Sequence, residues 1–221
     1  MKQENYAVIT GDIVQSSNIE GDYTKVLHEI AADISNYQHP EFIFELYRGD
    51  SFQALVTEPS KAVLLSLIIR AGLRRNTRGK KLEYVWDARI SVGIGKIKNQ
   101  ILTRESKIGT WDGEAFVLSG RTLDGMKKET SFFRITTTDE DLNKEFAAIC
   151  PLIDAITERW STAQAEAVYL HLLRNLTQKE IGNLLNISQR ATSKRLETSN
   201  IERLKPFLSH FNEIIQWKFN K

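Results

Sequence analysis

The stretch Arg48-Gly49-Asp50-Ser51-Phe52 lies between two runs of apolar, strand-like residues, FIFELY at 42–47 and FQALV at 52–56. A Gly-Asp pair between two such runs predicts a tight hairpin turn, because Gly, and Asp more readily than most residues, tolerates positive φ. The turn holds Asp50 at the end of a sheet. We therefore expect the Asp50 carboxylate to stand at the edge where the two strands meet.

The segments around the hairpin alternate between strand and helix patterns. The run YAVITGDI at 6–13 predicts a strand that leads to Asp12, and apolar residues at helical spacing follow it. The later segments are a helix at about 23–37, the hairpin, a helix at about 59–76, a strand at 88–95, a helix at 114–127 and a strand at 132–136. This order predicts an α+β fold, a ferredoxin-like βαββαβ sandwich with helices covering one face of an antiparallel sheet.

This topology brings two carboxylates together. The first and third strands of such a sandwich are antiparallel neighbours, so Asp12 at the end of one lies beside Asp50 at the start of the other. Two like charges at that distance are unfavourable without a cation or a shared proton. Mg²⁺ fits such a pair, since it uses one or two carboxylates plus phosphate oxygens. In the alternative, each Asp only caps its own turn through side-chain hydrogen bonds.

Composition narrows the class of protein. The chain has 221 residues, of which 41% are hydrophobic and 26% charged, with one Cys and a net charge of +2. These values are typical of a soluble globular protein without a disulfide framework. The sequence has no apolar run of transmembrane length, and its polar first residues do not resemble a signal peptide. We therefore expect a cytoplasmic protein with no membrane partner.

The motifs, in this order, resemble those of class III nucleotidyl cyclase domains over roughly residues 5–137. The matching segments are DIVQSS at 12–17, GDSF at 49–52, RISVGIG at 89–95 and GEAFVLSGR at 113–121. The resemblance implies that Asp12 and Asp50 bind the metal ion. It also implies that Arg121, Ser16 and Ser17 bind a nucleotide.

Two positions depart from the cyclase pattern. Val117 stands where those cyclases have an Asn that serves the transition state, and Leu46 stands at about the position of their base-selecting Lys. A valine side chain donates no hydrogen bond. Because interactions in the transition state are what accelerate chemistry, the sequence favours nucleotide binding over cyclisation, and we do not expect an active enzyme.

From about Asp139 the pattern is purely helical. A connecting helix from Asp139 to Cys150, interrupted or kinked near Pro151, is expected, followed by a further helical segment that reaches Trp160. STAQ at 161–164 and TQKE at 177–180 both fit a capping box, which marks a helix start. A helix at 177–185, a turn at 186–188 and a helix at 189–198 form the helix-turn-helix pattern. The 21 residues LTQKEIGNLLNISQRATSKRL, 176–196, resemble helix-turn-helix regions of bacterial regulators.

The second of these helices supplies the predicted DNA contacts. Its outward polar residues, which suit base edges or phosphates, are Gln189, Arg190, Ser193, Lys194 and, at the flank, Arg195. A homodimer would double the contacts and fix the spacing of two half-sites. In the alternative, the segment is a helical packing module whose polar face is only solvated.

The whole chain resembles the SatD family of bacterial proteins. We expect a cyclase-like α+β domain at 1–138, connecting helices at 139–160 and a helix-turn-helix domain at 161–221. The resulting hypothesis is a DNA-binding regulator with a degenerate cyclase-like domain that senses Mg²⁺ and a nucleotide. Two alternatives remain: a divergent metal-dependent nucleotidyl cyclase-type enzyme, and a non-catalytic scaffold or dimerisation protein.

Overall fold

A computed structural model of the chain describes residues 4–18, 21–47, 49–77, 85–98 and 111–219. The strands are β1 (Asn5–Ile13), β2 (Ile43–Tyr47), β3 (Ser51–Val56), β4 (Ala88–Lys98), β5 (Asp112–Gly113) and β6 (Phe133–Thr137). The helices are α1 (Tyr23–Tyr37), α2 (Ala62–Arg75), α3 (Glu114–Met126), α4 (Glu140–Thr157), α5 (Thr162–Arg174), α6 (Gln178–Leu185), α7 (Gln189–Ser199) and α8 (Lys205–Phe219). Short 3₁₀ turns occupy Ser16–Asn18, Pro59–Lys61 and Ile201–Leu204.

The strands form one sheet in the order β2-β3-β1-β4-β5, and β6 pairs in parallel with β4. β1 is antiparallel to both β3 and β4 and lies between them. With α1 between β1 and β2 and α2 between β3 and β4, the first six elements have the predicted βαββαβ order. The predicted α+β architecture of the N-terminal part is therefore confirmed.

The hairpin between β2 and β3 forms as predicted. Tyr47 pairs with Ser51 across it, and Gly49 has a φ of +79°, a value that residues with a side chain rarely adopt. Arg48 lies outside the described residues. The turn places Asp50 directly before the first residue of β3.

Helices cover both faces of the sheet, so the prediction that they cover one face is wrong. α1 and α2 pack on the face that carries Ile9, Phe52 and Val92. α3 packs on the opposite face because Gly93 leaves room for its backbone: a Cβ there would lie 2.3 Å from the carbonyl oxygen of Ala115. The sequence pattern identified the glycines of β4 but not the helix that approaches them.

The C-terminal helices share a hydrophobic core with the sandwich. α5 lies against α2 at Gly72, where an added Cβ would meet Ile30 at 2.6 Å and Tyr169 at 2.9 Å. The Tyr169 hydroxyl donates to Asp33 of α1 over 2.7 Å. At the far end, the side chain of Asn5 donates to the carbonyl oxygen of Phe219 over 2.8 Å, which joins the first strand to the last helix. The division into domains at 138 and 160 stays a prediction.

α4 is continuous through Pro151, so an interruption there is not observed, while a kink at this position stays a prediction. The helix runs from Glu140 to Thr157 with Pro151 inside it. Proline in a helix removes one backbone hydrogen bond and costs roughly 3 kcal/mol. Buried contacts of Phe146, Cys150 and Ile153 on the helix face toward the core offset that cost.

A buried charge network connects α2, the start of β4 and α4. Arg70 is fully buried and donates to both carboxylate oxygens of Asp87, at 3.0 and 2.8 Å, and to Asp154 at 2.9 Å. Arg74 also donates to Asp87, at 2.8 Å. Burial acts to raise the pKa of Asp87, but the two guanidinium groups outweigh it and hold this pKa below its ordinary value. The backbone carbonyl of Asp87 accepts from the amide of Val14, so the network reaches the end of β1.

Candidate functional site

Asp12 and Asp50 meet where β1 ends and β3 begins. Asp12 pairs across the sheet with Ser51, and the amide of Ile13 donates to the carbonyl oxygen of Asp50 over 3.0 Å. The structure therefore brings together the two strand ends that the sequence places side by side. Whether the pair holds a metal ion is a separate question, which depends on the surroundings of each carboxylate.

The Asp12 carboxylate is nearly buried and is flanked by two cations. Its Oδ2 atom lies 3.6 Å from a terminal guanidinium nitrogen of Arg89 and 3.9 Å from Nζ of Lys127. Its Oδ1 atom is buried and has no hydrogen-bond partner among the described residues. Burial raises the pKa of this carboxyl above its ordinary value and Asp50 adds to the rise, whereas Arg89 and Lys127 lower the pKa.

The Asp50 carboxylate is half-buried and is held by a hydroxyl group. Ser16 donates to its Oδ2 atom over 2.7 Å from the 3₁₀ turn that follows β1. The Ser51 hydroxyl lies 3.5 Å from Oδ1, which is a weak contact. Ser16 thus contacts Asp50, while Ser17, the next residue, is exposed, and the assignment of both serines to a nucleotide stays a prediction.

Arg121 lies on a different face of α3 from the residues that pack on the sheet. Ser119 of this helix accepts from the Thr10 hydroxyl over 2.8 Å, and Leu123 is buried. Arg121 stands between them in sequence and is exposed, as is Val117 one turn earlier. Its assignment to a nucleotide stays a prediction.

Arg89 and Lys127 were missed at the sequence level. Asp12 has two cross-strand partners, which are Arg89 on β4 and Ser51 on β3. The position of Arg89 follows from the register between two strands that are far apart in sequence. Lys127 directly follows the end of α3, and no local pattern distinguishes it from Lys128.

The donor set fits a magnesium-type ion. Two carboxylates and one hydroxyl converge, and one buried carboxylate oxygen has no protein partner among the described residues. Mg²⁺ is bound in proteins by one or two carboxylates, with the remaining ligands supplied by water and substrate phosphates. A metal held entirely by the protein needs a group of three or more His, Cys, Asp or Glu. The described part of the chain contains no such group. If a metal binds here, other ligands must complete its coordination.

The two helices of the predicted helix-turn-helix segment, the second of which was predicted to contact DNA, are present and well capped. Thr177 and Glu180 form a capping box at the start of α6, and Ser188 caps α7. Thr192, which stands where an apolar residue is usual, is buried and donates its hydroxyl to the Ser188 carbonyl over 3.3 Å. The local geometry of the helix pair thus follows the sequence signals.

Most of the positive charge on the predicted DNA-contacting face is paired with carboxylates of the protein. Its residues are Gln189, Arg190, Ser193, Lys194 and Arg195, and all but Arg195 line an open cavity of about 850 Å³ together with Gln178 and Glu197. Lys194 lies 3.3 Å from a carboxylate oxygen of Glu197, and Arg195 lies 3.0 Å from one of Glu166. Affinity for DNA depends on the number of phosphates that cations neutralise. Two of the three predicted cations are therefore already paired within the protein.

The fold resembles nucleotide cyclase domains. A structure of a bacterial light-regulated adenylyl cyclase matches with 13% identity and a TM-score of 0.42, covering 60% of this chain and 76% of that chain. The guanylate cyclase domain of RhGC from Catenaria anguillulae, in complex with GTP, matches with 16% identity and a TM-score of 0.41, covering 55% and 73%. The active GGEEF domain of a diguanylate cyclase from Vibrio cholerae matches with 13% identity and a TM-score of 0.41, covering 62% and 84%.

The chain belongs to the SatD family, whose family model matches residues 6–208. A search of curated proteins found no match. Within the described ranges, each helix is too short or too polar to cross a bilayer.

These comparisons correct two predictions. The prediction of a DNA-binding regulator is wrong, because these similar structures are adenylyl, guanylyl and diguanylate cyclases. The expectation that the protein is not an enzyme is corrected by the same finding. Glu197 and Glu166 pair with two of the three predicted DNA-contacting cations of α7, Lys194 and Arg195, which the sequence pattern did not indicate.

Proposed function

We propose that this protein is a metal-dependent enzyme of the nucleotidyl cyclase type, which binds a nucleoside triphosphate at Asp12 and Asp50. The observation that carries the proposal is the composition of the site. The nearly buried Asp12 carboxylate, with an oxygen that lacks a partner among the described residues, lies beside the Asp50 carboxylate and is flanked by Arg89 and Lys127. Acidic groups for a cation and basic groups for phosphates are thus within a few ångströms of each other.

Asp12 and Asp50 would hold the divalent cation, and Ser16 keeps the Asp50 carboxylate oriented toward the site. Mg²⁺ or Mn²⁺ supplies Lewis acidity toward phosphoryl oxygens when bound. Arg89 presents a permanent positive charge to the same place from β4. A guanidinium matches phosphate geometry and stabilises charge that develops on a leaving phosphate.

The reaction of this class is an intramolecular nucleotidyl transfer. The 3′-hydroxyl of the nucleotide loses its proton to water and forms a bond to the α-phosphorus, while the bond from that phosphorus to the bridging oxygen breaks and pyrophosphate leaves. Arg89 and Lys127 would offset the charge that pyrophosphate gains. Val117 offers no hydrogen bond to the transition state, so we expect slow turnover.

Arg121 and Ser17 are the further nucleotide contacts that the cyclase resemblance implies. Because Arg121 is exposed on the outer face of α3, it reaches a nucleotide in this site only if the ligand or a second copy of the chain extends over that face. The proposed homodimer is tested by measuring the molar mass in solution with and without nucleotide and Mn²⁺.

The first test combines binding and turnover. The protein is incubated with Mg²⁺ or Mn²⁺ and each of ATP, GTP, CTP and UTP, and its melting temperature and the nucleotide products are measured. Ligand at about a hundred times its dissociation constant stabilises the fold by roughly 2.7 kcal/mol. Both the shift and the product should disappear in Asp50→Asn and persist in Asp124→Asn, a matched change of an exposed Asp on α3.

The outcomes separate the candidate functions. Product formation that depends on Asp50 supports the enzyme. A metal-dependent shift without product would leave a nucleotide-binding protein and contradict catalysis. A well-folded protein that binds none of the four nucleotides would overturn the proposal and favour the scaffold alternative.

A further inference from the structure

We propose that Lys127 is a phosphate-binding residue that pairs with Asp12 in the free protein and transfers to the ligand's polyphosphate when a cation binds Asp12. This inference rests on the proposed function, because it assigns a second role within the same site. It predicts that the metal ion and the polyphosphate each bind better in the presence of the other.

The backbone at Lys127 is fixed while its side chain is free to move. α3 is held on the sheet by the hydrogen bond between Ser119 and Thr10 and by buried Leu123 and Met126. The amide of Lys127 donates to the Leu123 carbonyl over 3.3 Å. Its side chain, by contrast, is 47% exposed. The ammonium group can therefore move while the backbone of Lys127 stays in place near Asp12.

The contact with Asp12 is easily exchanged. Lys127 Nζ lies 3.9 Å from Asp12 Oδ2, and the nearest guanidinium nitrogen of Arg89 lies 3.6 Å from the same atom. Both distances exceed those of a hydrogen bond, so the attraction is electrostatic only. Arg89 is on a central strand and is the more buried of the two cations. Lys127 is therefore the cation that can leave Asp12 more easily, because its side chain is 47% exposed against 25% for Arg89.

The charges at the site explain why the two ligands should depend on each other. Two aspartates and two cations balance in the free protein. A divalent cation that binds alone must approach Arg89 and Lys127, and a polyphosphate that binds alone must approach Asp12 and Asp50. When both bind, each ligand is attracted by groups that repel the other, so binding of one favours the other reciprocally.

The matched control is the next residue in the chain. Lys128 is also exposed and also follows α3, but no ion pair with either aspartate is observed for it within the described ranges. Lys127→Ala and Lys128→Ala remove the same charge from adjacent positions. A general loss of positive charge would affect both variants, whereas the proposed contact affects only the first.

The experiment measures the dissociation constants of Mn²⁺ alone, inorganic tripolyphosphate alone, and tripolyphosphate at saturating Mn²⁺, by calorimetry on the full chain. Lys127→Ala should weaken tripolyphosphate binding in the presence of Mn²⁺ by about tenfold. The same variant should bind Mn²⁺ alone more tightly, because a repelling charge is gone. Lys127→Arg should retain both wild-type values, and so should Lys128→Ala.

In Lys127→Ala the affinity for Mn²⁺ alone should rise while the affinity for tripolyphosphate with Mn²⁺ falls. A merely structural role would lower both affinities together. If Lys127→Ala lowers both affinities, or leaves both equal to wild type, the inference is overturned. The enzyme proposal stays intact in that case if wild-type protein still forms product. Wild-type protein that binds neither probe, even with both present, would overturn this inference, and the enzyme proposal falls with it only if the protein also binds none of the four nucleotides.

Discussion

His39 shows how burial selects the charge state of a single side chain. The amide and hydroxyl of Thr57 lie 3.2 and 3.0 Å from its Nε2 atom, and Glu58 lies 3.6 Å from its Nδ1 atom. Because an amide only donates, Nε2 must be the unprotonated nitrogen of a neutral ring. Burial lowers the pKa of His39 below its ordinary value, although Glu58 partly opposes this shift.

The stability of the protein should therefore fall as the pH decreases. With a lower pKa when folded, His39 binds its proton more readily in the unfolded chain, so the loss begins below about pH 6.5. It is complete once the pH is below the pKa in the folded state. Urea unfolding at pH 7.5 and pH 5.0 measures this dependence, which His39→Gln should reduce. The same change at exposed His28 should leave the dependence as it is in wild type, and an unchanged slope in His39→Gln would refute the assignment.

The position of α3 depends on Gly93 of β4, which has no side chain to hold the helix away from the sheet. An added Cβ at Gly93 would lie 2.3 Å from the Ala115 carbonyl oxygen and 2.5 Å from the Ser119 amide nitrogen. Both atoms belong to the backbone of the helix, so no side chain can rotate away. Since Lys127 follows the same helix, the approach of α3 to β4 also sets the distance from Lys127 to Asp12.

Gly93→Ala should destabilise the protein by about 1–3 kcal/mol, as overpacking does in other cores. It should also weaken ligand binding, because displacement of α3 carries Lys127 away from Asp12. Gly120→Ala provides the control on α3 itself, where an added Cβ meets nothing within 4 Å. That variant should be stabilised by up to about 1 kcal/mol through its helix propensity. Denaturant titration of both variants checks the signs, and a stable Gly93→Ala protein would contradict the packing argument.

The sequence predicted elements whose signals are local, such as the hairpin at Gly49 and the capping boxes of α5 and α6. It also placed Asp12 beside Asp50, because strand order follows from the element order. It did not predict Arg89 or Lys127 at this site, since their positions depend on register and on helix packing across the sheet. The prediction that the outward face of α7 contacts DNA missed the pairing of Arg195 for a similar reason, because its partner Glu166 lies on another helix.

The network of Arg70 with Asp87 and Asp154 joins parts of the chain that no local pattern relates. Its members come from α2, from the residue before β4, and from α4, and all are buried. Such a network is weak evidence for stability as a whole, because desolvation of the charges offsets much of their attraction. Loss of one member, however, leaves the others buried without compensation.

Arg70→Met should cost about 3–5 kcal/mol in the free energy of unfolding, because two buried carboxylates lose their shared partner. Arg174→Met, an exposed Arg that lies over the Tyr37 ring, should cost far less. Urea titrations at pH 7 compare the two variants. Equal, small losses would show that the remaining guanidinium of Arg74 is sufficient to compensate Asp87.

The bond between Asn5 and Phe219 has a consequence for how the protein is made. The residues that it joins are 214 positions apart, so this hydrogen bond forms only after α8 has been synthesised. Contacts so distant in sequence form late and slow the completion of folding. A partly synthesised chain therefore leaves the ribosome with the outer face of α2 uncovered, and such exposed apolar surface is prone to aggregation. This protein should need chaperone protection most during the interval between the synthesis of α2 and the synthesis of α8.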